Sequence, residues 1–191
     1  MTMEKMRYGT KEIIATICSV LLMIASRWVE LYLIYSGTVF SHVPDWIRLR
    51  IVVVALCAVL FGPAAGLIGG MSGEILINMV YGQTIGYSDF IAMGLYGLFL
   101  GLYFGRMHFD PQKFDFQSFL DFNMVQILAG VFITIFFIPM VNFLTGNGKL
   151  SDLVVNGTKN AAGNSLLVGI VCPLVMLIVS AFSKRRMDSS T

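Results

Sequence analysis

The chain has 191 residues, 57% of them hydrophobic and only 13% charged, and its mean hydropathy is +0.79. A water-soluble domain carries about 25% charged residues, so an apolar excess of this size needs lipid to cover it and excludes an ordinary soluble protein. The formal net charge of +2 is too small and too dispersed to indicate nucleic-acid binding.

Six apolar stretches follow one another along the chain, with polar or turn-rich segments between them. The predicted spans cover residues 12–34, 44–61, 63–80, 89–105, 118–143 and 161–183. Because each span takes roughly 20 residues plus a connection, no sizeable soluble domain remains. The apolar runs are continuous, which argues against the alternating pattern of a β-barrel. The sequence therefore predicts one integral membrane domain over residues 1–191, all-α, with six transmembrane helices.

Spans two and three are separated only by Phe61, Gly62 and Pro63. Pro44 and Pro63 each fit the first turn of a helix, where the missing N–H costs little. This arrangement predicts a tight antiparallel helical hairpin.

The basic residues orient the spans. If both ends are cytoplasmic, the inner side holds Lys5, Arg7, Lys11, Arg106, Lys113, Lys184, Arg185 and Arg186. The outer side then holds Arg27, Arg48, Arg50, Lys149 and Lys159. Since cytoplasmic segments carry the excess of Lys and Arg, we predict that both termini are cytoplasmic.

On this topology, polar side chains concentrate in the outer half of the membrane. They are Arg27, Trp28, Glu30, Arg48, Arg50, Glu74, Asn78, Asp89, Asn142 and Asn164. Polar groups in lipid are expensive and normally face protein or a water-filled cavity. We therefore predict a polar pocket in the outer half, with Glu74 as the strongest functional candidate.

Simple pairing remains an alternative for the charged residues. Arg27 and Glu30 are three apart on one helix face and can pair with each other. Glu74 can pair with Arg48 or Arg50 and need not bind a ligand.

Residues at the ends of spans also have a structural alternative. Arg48, Arg50 and Asp89 can be interfacial residues that reach toward the headgroups. Asn142 and Asn164 can form hydrogen bonds between helices.

Small residues form a second pattern, at intervals of four. The repeats are Gly66 with Gly70, Gly69 with Gly73, Gly97 with Gly101 and Gly105, and Ala15 with Ser19. Such stripes let helix backbones approach closely, either within the chain or against a partner.

Catalytic and metal-binding motifs are missing from the sequence. It contains no Walker A, HExxH or GxSxG pattern. Cys18, Cys57 and Cys172 are far apart and indicate neither a metal site nor a disulfide framework. We predict no catalytic residue, no metal and no cofactor, so the chain is interpreted as a binding protein.

Residues 58–70, which read Ala-Val-Leu-Phe-Gly-Pro-Ala-Ala-Gly-Leu-Ile-Gly-Gly, resemble a known turn. It joins spans two and three in S components of energy-coupling factor (ECF) transporters, the membrane-embedded substrate-binding subunits of a class of vitamin importers. The similarity continues through Glu74 and residues 78–82, although the relatives often carry His and Asp where this chain has Glu74 and Asn78. Residues 122–126, Ile138-Pro139, Asn156-Gly157 and Asn164 are similar as well. The chain most resembles the riboflavin-type branch, which includes relatives of unassigned substrate.

The resemblance implies six helices, cytoplasmic termini and an outer pocket capped by the loops 35–43, 81–88 and 145–160. The ligand would be a vitamin or vitamin precursor, with riboflavin and cobalamin as the first compounds to test. The residues predicted to bind it are Arg27, Trp28, Glu74, Asn78, Tyr81 and Asn164. Arg27 and Trp28 would offer charge and a stacking face.

The resemblance also implies partners and a location. Ala15 and Ser19 are similar to the Ala-xxx-Ala motif that contacts the transmembrane T subunit in this family. Two ATPase subunits on other chains would supply the energy, which accounts for the missing Walker motif. The protein would lie in a bacterial cell membrane as a multi-pass protein.

Two other functions stay open. One is a stand-alone facilitator or small channel for a polar metabolite, disfavoured because the inner half has few polar groups beyond Asn123 and Gln126. The other is a membrane enzyme that uses Glu74 as an acid or base, for which the sequence positions no nucleophile or metal.

Overall fold

The computed structural model describes residues 3–35, 48–82, 86–106 and 114–188. Its regular elements there are all helices, in the order α1 (Met3–Tyr35), α2 (Leu49–Phe61), α3 (Pro63–Val80), α4 (Tyr87–Arg106), α5 (Phe116–Val131), a π-helical segment π1 (Phe132–Phe137), α6 (Ile138–Leu144) and α7 (Leu150–Asp188). Because α5, π1 and α6 follow without a break, they form one long helical rod.

Within the described part of the chain, five helical stretches are long and apolar enough to cross a membrane. They are Ile13–Tyr32, Pro63–Val80, Tyr87–Gly105, Phe116–Leu144 and Leu150–Phe182. With α2 as a shorter apolar helix, they confirm the predicted all-α architecture of six helices. The predicted second span starts at residue 44, but residues 44–47 lie outside the described part of the chain.

The predicted hairpin between α2 and α3 is present. Helix α2 ends at Phe61, Gly62 alone forms the link, and Pro63 is the first residue of α3. Gly62 has a φ of +96°, a conformation that residues with a side chain rarely adopt. Pro63 lacks an N–H, which a helix does not need at its first position.

Helix α3 is packed between α1 and α4 through its glycines. A Cβ on Gly66 would stand 2.6 Å from the carbonyl oxygen of Gly97 in α4, and one on Gly69 would stand 2.6 Å from Ser19 Oγ in α1. A Cβ on Gly97 would in turn collide with the backbone of Gly66. The stripes of α3 and their counterparts Ser19 and Gly97 therefore serve close packing within this chain, whereas Gly105 has no neighbour within 4 Å of an added Cβ among the described residues.

The α5–π1–α6 rod packs on α7 and is irregular in its middle. The N–H of Ile138 donates to the carbonyl of Ile133, five residues back. Pro139 has no N–H to donate, so the equivalent bond to the Thr134 carbonyl is not made. That carbonyl lies against Gly157 of α7, where an added Cβ would collide with the carbonyl oxygen. Proline thus explains why regular helical bonding is interrupted here.

The predicted loop 145–160 is wrong over most of its length, because α7 already begins at Leu150. In this region Leu153, Gly157 and Ala161 are at least partly buried, and their neighbours are largely exposed. Apolar residues at this spacing form an amphipathic helix. A search for continuous apolar runs overlooks such a segment.

Candidate ligand-binding site

A cavity of about 70 Å³ lies where α2, α4, π1 and α7 meet. Its polar lining consists of Arg48, Asp89, Tyr96, Thr134, Asn160 and Asn164. The remaining lining residues are Ile51, Ala92, Met93, Gly130, Ile133 and Ile138. Arg48 directly precedes α2 and Asp89 lies in the first turn of α4, so the cavity falls in the outer half on the predicted orientation.

Three helices are joined by polar contacts at this cavity. The backbone N–H of Arg48 donates to Asn164 Oδ1 at 3.0 Å, and Arg48 Nη1 lies 3.9 Å from Asp89 Oδ1. The first N–H groups of a helix have no partner within it. The carboxamide of Asn164, from α7, supplies such a partner at the start of α2, much as a capping side chain does.

A chain of buried charges connects α1, α2 and α3 beside the cavity. Arg27 Nη1 contacts Glu30 Oε2 at 3.0 Å, the backbone N–H of Arg50 donates to Glu30 Oε1 at 3.4 Å, and Arg50 Nη1 lies 3.3 Å from Glu74 Oε1. We call Arg27, Glu30, Arg50 and Glu74 the ion network. It holds the start of α2 against both of its neighbours.

The centre of the ion network is almost completely buried. Arg50 is 5% exposed and Glu74 is 1% exposed. Within the described residues, Arg50 Nε and Nη1 and Glu74 Oε2 have no hydrogen-bond partner, so the attraction between the two groups is mainly electrostatic. Removing one member of such a pair leaves the other charge buried and uncompensated, at a cost of about 3–5 kcal/mol.

Of the six residues predicted to bind the ligand, Asn164 lines the cavity. Arg27 and Glu74 belong to the ion network, in which Arg27 pairs with Glu30 and Glu74 pairs with Arg50. These pairs are the structural alternatives that the sequence left open for the two residues. Asn78 is buried on α3, one turn beyond Glu74.

The two predicted aromatic residues lie apart from the cavity lining. Tyr81 is half-buried and packs against the hydrophobic core. Trp28 is 64% exposed and stacks on Tyr32, with ring centroids 6.1 Å apart. Its indole ring therefore lies on the outer surface of α1.

Ala15 and Ser19, predicted to contact the T subunit, are both buried, and Ser19 lies in the contact between α1 and α3. Ser19 is fully buried, and its hydroxyl faces Gly69. The exposed apolar residues on the same part of α1 are Ile13, Ile14, Ile17, Leu21 and Leu22.

The sequence did not predict the hydrogen bonds at the inner end of the cavity. Tyr96 OH donates to Gln126 Oε1 at 3.5 Å, and Gln126 Nε2 donates to the carbonyl of Ser165 at 3.0 Å. Both side chains are buried. The sequence did offer one signal, Tyr96 within an apolar span. A buried tyrosine hydroxyl normally has a hydrogen-bond partner, so Tyr96 indicated a polar group on a neighbouring helix.

Asn142, the polar residue at the end of predicted span five, forms a hydrogen bond with a neighbouring helix. Ser88 Oγ of α4 donates to Asn142 Oδ1 of α6 at 3.1 Å, which is the structural alternative for Asn142. Within the described part of the chain, no three His, Cys, Asp or Glu side chains cluster as a metal site would require.

Comparison with known proteins identifies one matching family. The model of the family "ECF-type riboflavin transporter, S component" matches residues 10–181. The chain is 27% identical over 139 residues to proteins named "UPF0397 protein" from Streptococcus pneumoniae serotype 19F (strain G54) and serotype 4 (strain ATCC BAA-334 / TIGR4), covering 73% of this chain and 76% of each relative. No solved structure matches the chain.

Proposed function

The chain belongs to the family of ECF-type riboflavin transporter S components, and on this premise we propose that it captures a vitamin or vitamin precursor in the cavity between α2, α4, π1 and α7. The family is one of multi-pass proteins of the bacterial plasma membrane and is not an enzyme class. Riboflavin is the first compound to test and cobalamin the second.

The observation that carries the proposal is the lining of the cavity. Ligand sites are mostly apolar clefts with a few convergent polar groups that fix orientation. Here the apolar side chains come from α2, α4, π1 and α6, and the polar groups Arg48, Asp89 and Asn164 converge from three helices. Asn164, the predicted ligand residue that lines the cavity, is assigned a direct hydrogen bond to the ligand.

The cavity must widen to accept its ligand. Sites for drug-sized molecules measure roughly 300–1,000 Å³, whereas this cavity measures about 70 Å³. The wall formed by π1 and α6 is the one we assign to move, because Pro139 interrupts its hydrogen bonds. The wall formed by α2 and α4 stays in place, since α3 fastens both helices.

The inner end of the cavity favours capture over a continuous channel. The Tyr96–Gln126 contact and the bond from Gln126 to Ser165 lie beneath it. A facilitator needs a polar path across the membrane, and these buried side chains instead bind one another.

The remaining predicted site residues receive more indirect roles in the proposal. Arg27 and Glu74 support the start of α2, and with it Arg48, through the ion network. Three residues that do not line the cavity remain predicted ligand contacts: Asn78, Tyr81 and Trp28. They would contact the ligand only if the ligand, or a capping loop that covers it, moved next to them.

The family implies a T subunit and ATPase subunits as partners in general terms. We propose that release into the cell depends on them, with docking through α1. Ala15 and Ser19 remain the predicted docking residues. Because both are buried here, their role in docking would require their neighbours on the exposed face of α1 to contribute as well.

The direct test is ligand binding by the purified full-length chain in lipid nanodiscs. Mass spectrometry of co-purified small molecules, followed by titration with riboflavin, identifies the ligand. Asn164→Ala should weaken its binding by at least about tenfold, the loss of one buried hydrogen bond with its unpaired partner. Gln117→Ala, which removes an exposed amide that does not line the cavity, is the control. Equal affinities of wild type and Asn164→Ala would remove the cavity from the proposal.

A further inference from the structure

The charged residues that line the cavity form one balanced pair. Among the described lining residues, Arg48 is the one cation and Asp89 the one anion. The neighbouring ion network holds two cations and two carboxylates, and these are paired with each other. The protein therefore brings no excess positive charge to the cavity from these groups.

The Arg48–Asp89 contact is loose enough to be rearranged by a ligand. Its 3.9 Å separation is too long for a hydrogen bond. The two side chains are 28% and 37% exposed, and partly exposed ion pairs contribute little to stability. Each group can therefore turn from its partner to a ligand at small cost.

Arg48 also has free capacity on its side chain. The bond to Asn164 uses its backbone N–H, so among the described residues the five N–H donors of the guanidinium have only the loose contact with Asp89. Asp89 supplies acceptors a short distance away. Donors and acceptors thus stand side by side at the polar end of a mostly apolar cavity.

We propose that Arg48 and Asp89 determine specificity by selecting a solute with an apolar body and an uncharged polar end that both donates and accepts hydrogen bonds. A phosphorylated form of the same solute is rejected. A phosphate monoester carries a charge of about −1.5 to −2 at neutral pH, and Asp89 lies beside the cation that would have to neutralise it. This inference rests on the proposed capture function and specifies the chemistry of its ligand.

The test compares matched ligands on the full-length chain in nanodiscs of neutral lipid. The probes are riboflavin and pyridoxine, each with its 5′-phosphate, and the measured quantity is the affinity ratio within a pair. Wild type should bind the unphosphorylated member at least about tenfold more tightly, the scale on which one misplaced charge acts. Asp89→Asn should reduce this ratio by about tenfold, mainly through tighter binding of the phosphate ester.

Two further variants separate charge from structure. Arg48→Lys keeps the charge and should retain the preference, whereas Arg48→Gln should increase it. Both leave the backbone N–H that bonds to Asn164. Asp152→Asn removes an exposed carboxylate of α7 that does not line the cavity, and it should not change the ratio.

The outcomes distinguish this inference from the function on which it rests. If wild type binds an unphosphorylated probe but binds its phosphate ester equally well, the specificity assignment is overturned and the capture function stands. The same holds if Asp89→Asn leaves the ratio unchanged. If wild type binds neither member of either pair, both proposals are overturned for these vitamins.

Discussion

The two halves of the molecule are packed in different ways. In α1–α4, backbones touch directly: Gly66 meets Gly97, and a buried Arg50–Glu74 pair fastens α2 to α3. Backbones also touch in α5–α7, where Gly157 of α7 meets the Thr134 carbonyl, but there the hydrogen bonding of the rod is interrupted at π1 by Pro139. The cavity lies at the boundary between the halves. One wall of the site is therefore fixed by a buried ion pair and close backbone contacts, while the opposite wall, which lacks a helical hydrogen bond at Pro139, has freedom to adapt.

The largest expected effect comes from removing the buried carboxylate of the fixed half. Glu74→Ala should lower the free energy of unfolding by roughly 3–5 kcal/mol, because the guanidinium of Arg50 is left buried without its partner. Equilibrium unfolding of the purified chain in mixed detergent micelles measures this loss. The double variant Arg50→Met with Glu74→Leu should recover most of it, since both charges are removed. A single variant within about 1 kcal/mol of wild type would show that the pair does not fasten the fixed half.

The next effect concerns the glycine contact between α3 and α4. Gly97→Ala should destabilise the protein by about 3 kcal/mol, because the added methyl group meets the backbone of Gly66 and has no flexible side chain to displace. Gly105→Ala is the matched control on the same helix, where nothing lies within 4 Å of the new Cβ. It should be neutral or stabilise by up to about 1 kcal/mol through helix propensity. Similar unfolding energies for the two variants would contradict the close backbone contact.

The same substitution should be milder in the adaptable half. Gly157→Ala places a methyl group against the Thr134 carbonyl of π1, and we expect a cost of about 1 kcal/mol, at the low end for an overpacked contact. The rod can shift outward to relieve the clash, which widens the cavity, so ligand affinity should change more than stability does. Unfolding and riboflavin titration on one preparation measure both. A loss of stability as large as that of Gly97→Ala would mean that the two halves resist an added methyl group equally.

Much of this architecture follows from local sequence signals. Continuous apolar runs define the spans because lipid demands them, and Gly62-Pro63 predicts the hairpin from backbone conformation alone. The glycine stripes and the Arg27–Glu30 pair depend on spacing within one helix, which the sequence also specifies.

The cavity lining is less predictable because it depends on convergence between distant segments. Tyr96, Thr134 and Asn160 become neighbours only after α4, π1 and α7 have packed. Pro139 was a visible signal for an interrupted helix, but it does not specify where a π segment begins. Ala15 and Ser19 show the same limit: a small-residue pair fits either a partner subunit or the chain's own helices, and here Ser19 packs on Gly69 of α3.

The central claim, that ligand capture moves the π1–α6 wall against a fixed α2–α4 wall, is tested most directly by distances between spin labels. In a chain with the exposed Cys18 replaced by Ser, labels at Val80 and Phe143 report the distance between α3 of the fixed half and α6 of the opposite wall, and labels at Val80 and Tyr87 report within the fixed half; all three positions are exposed. Binding of riboflavin should lengthen the Val80–Phe143 distance and leave the Val80–Tyr87 distance unchanged. Bound ligand with an unaltered Val80–Phe143 distance, or with an equal change in both pairs, would contradict the account.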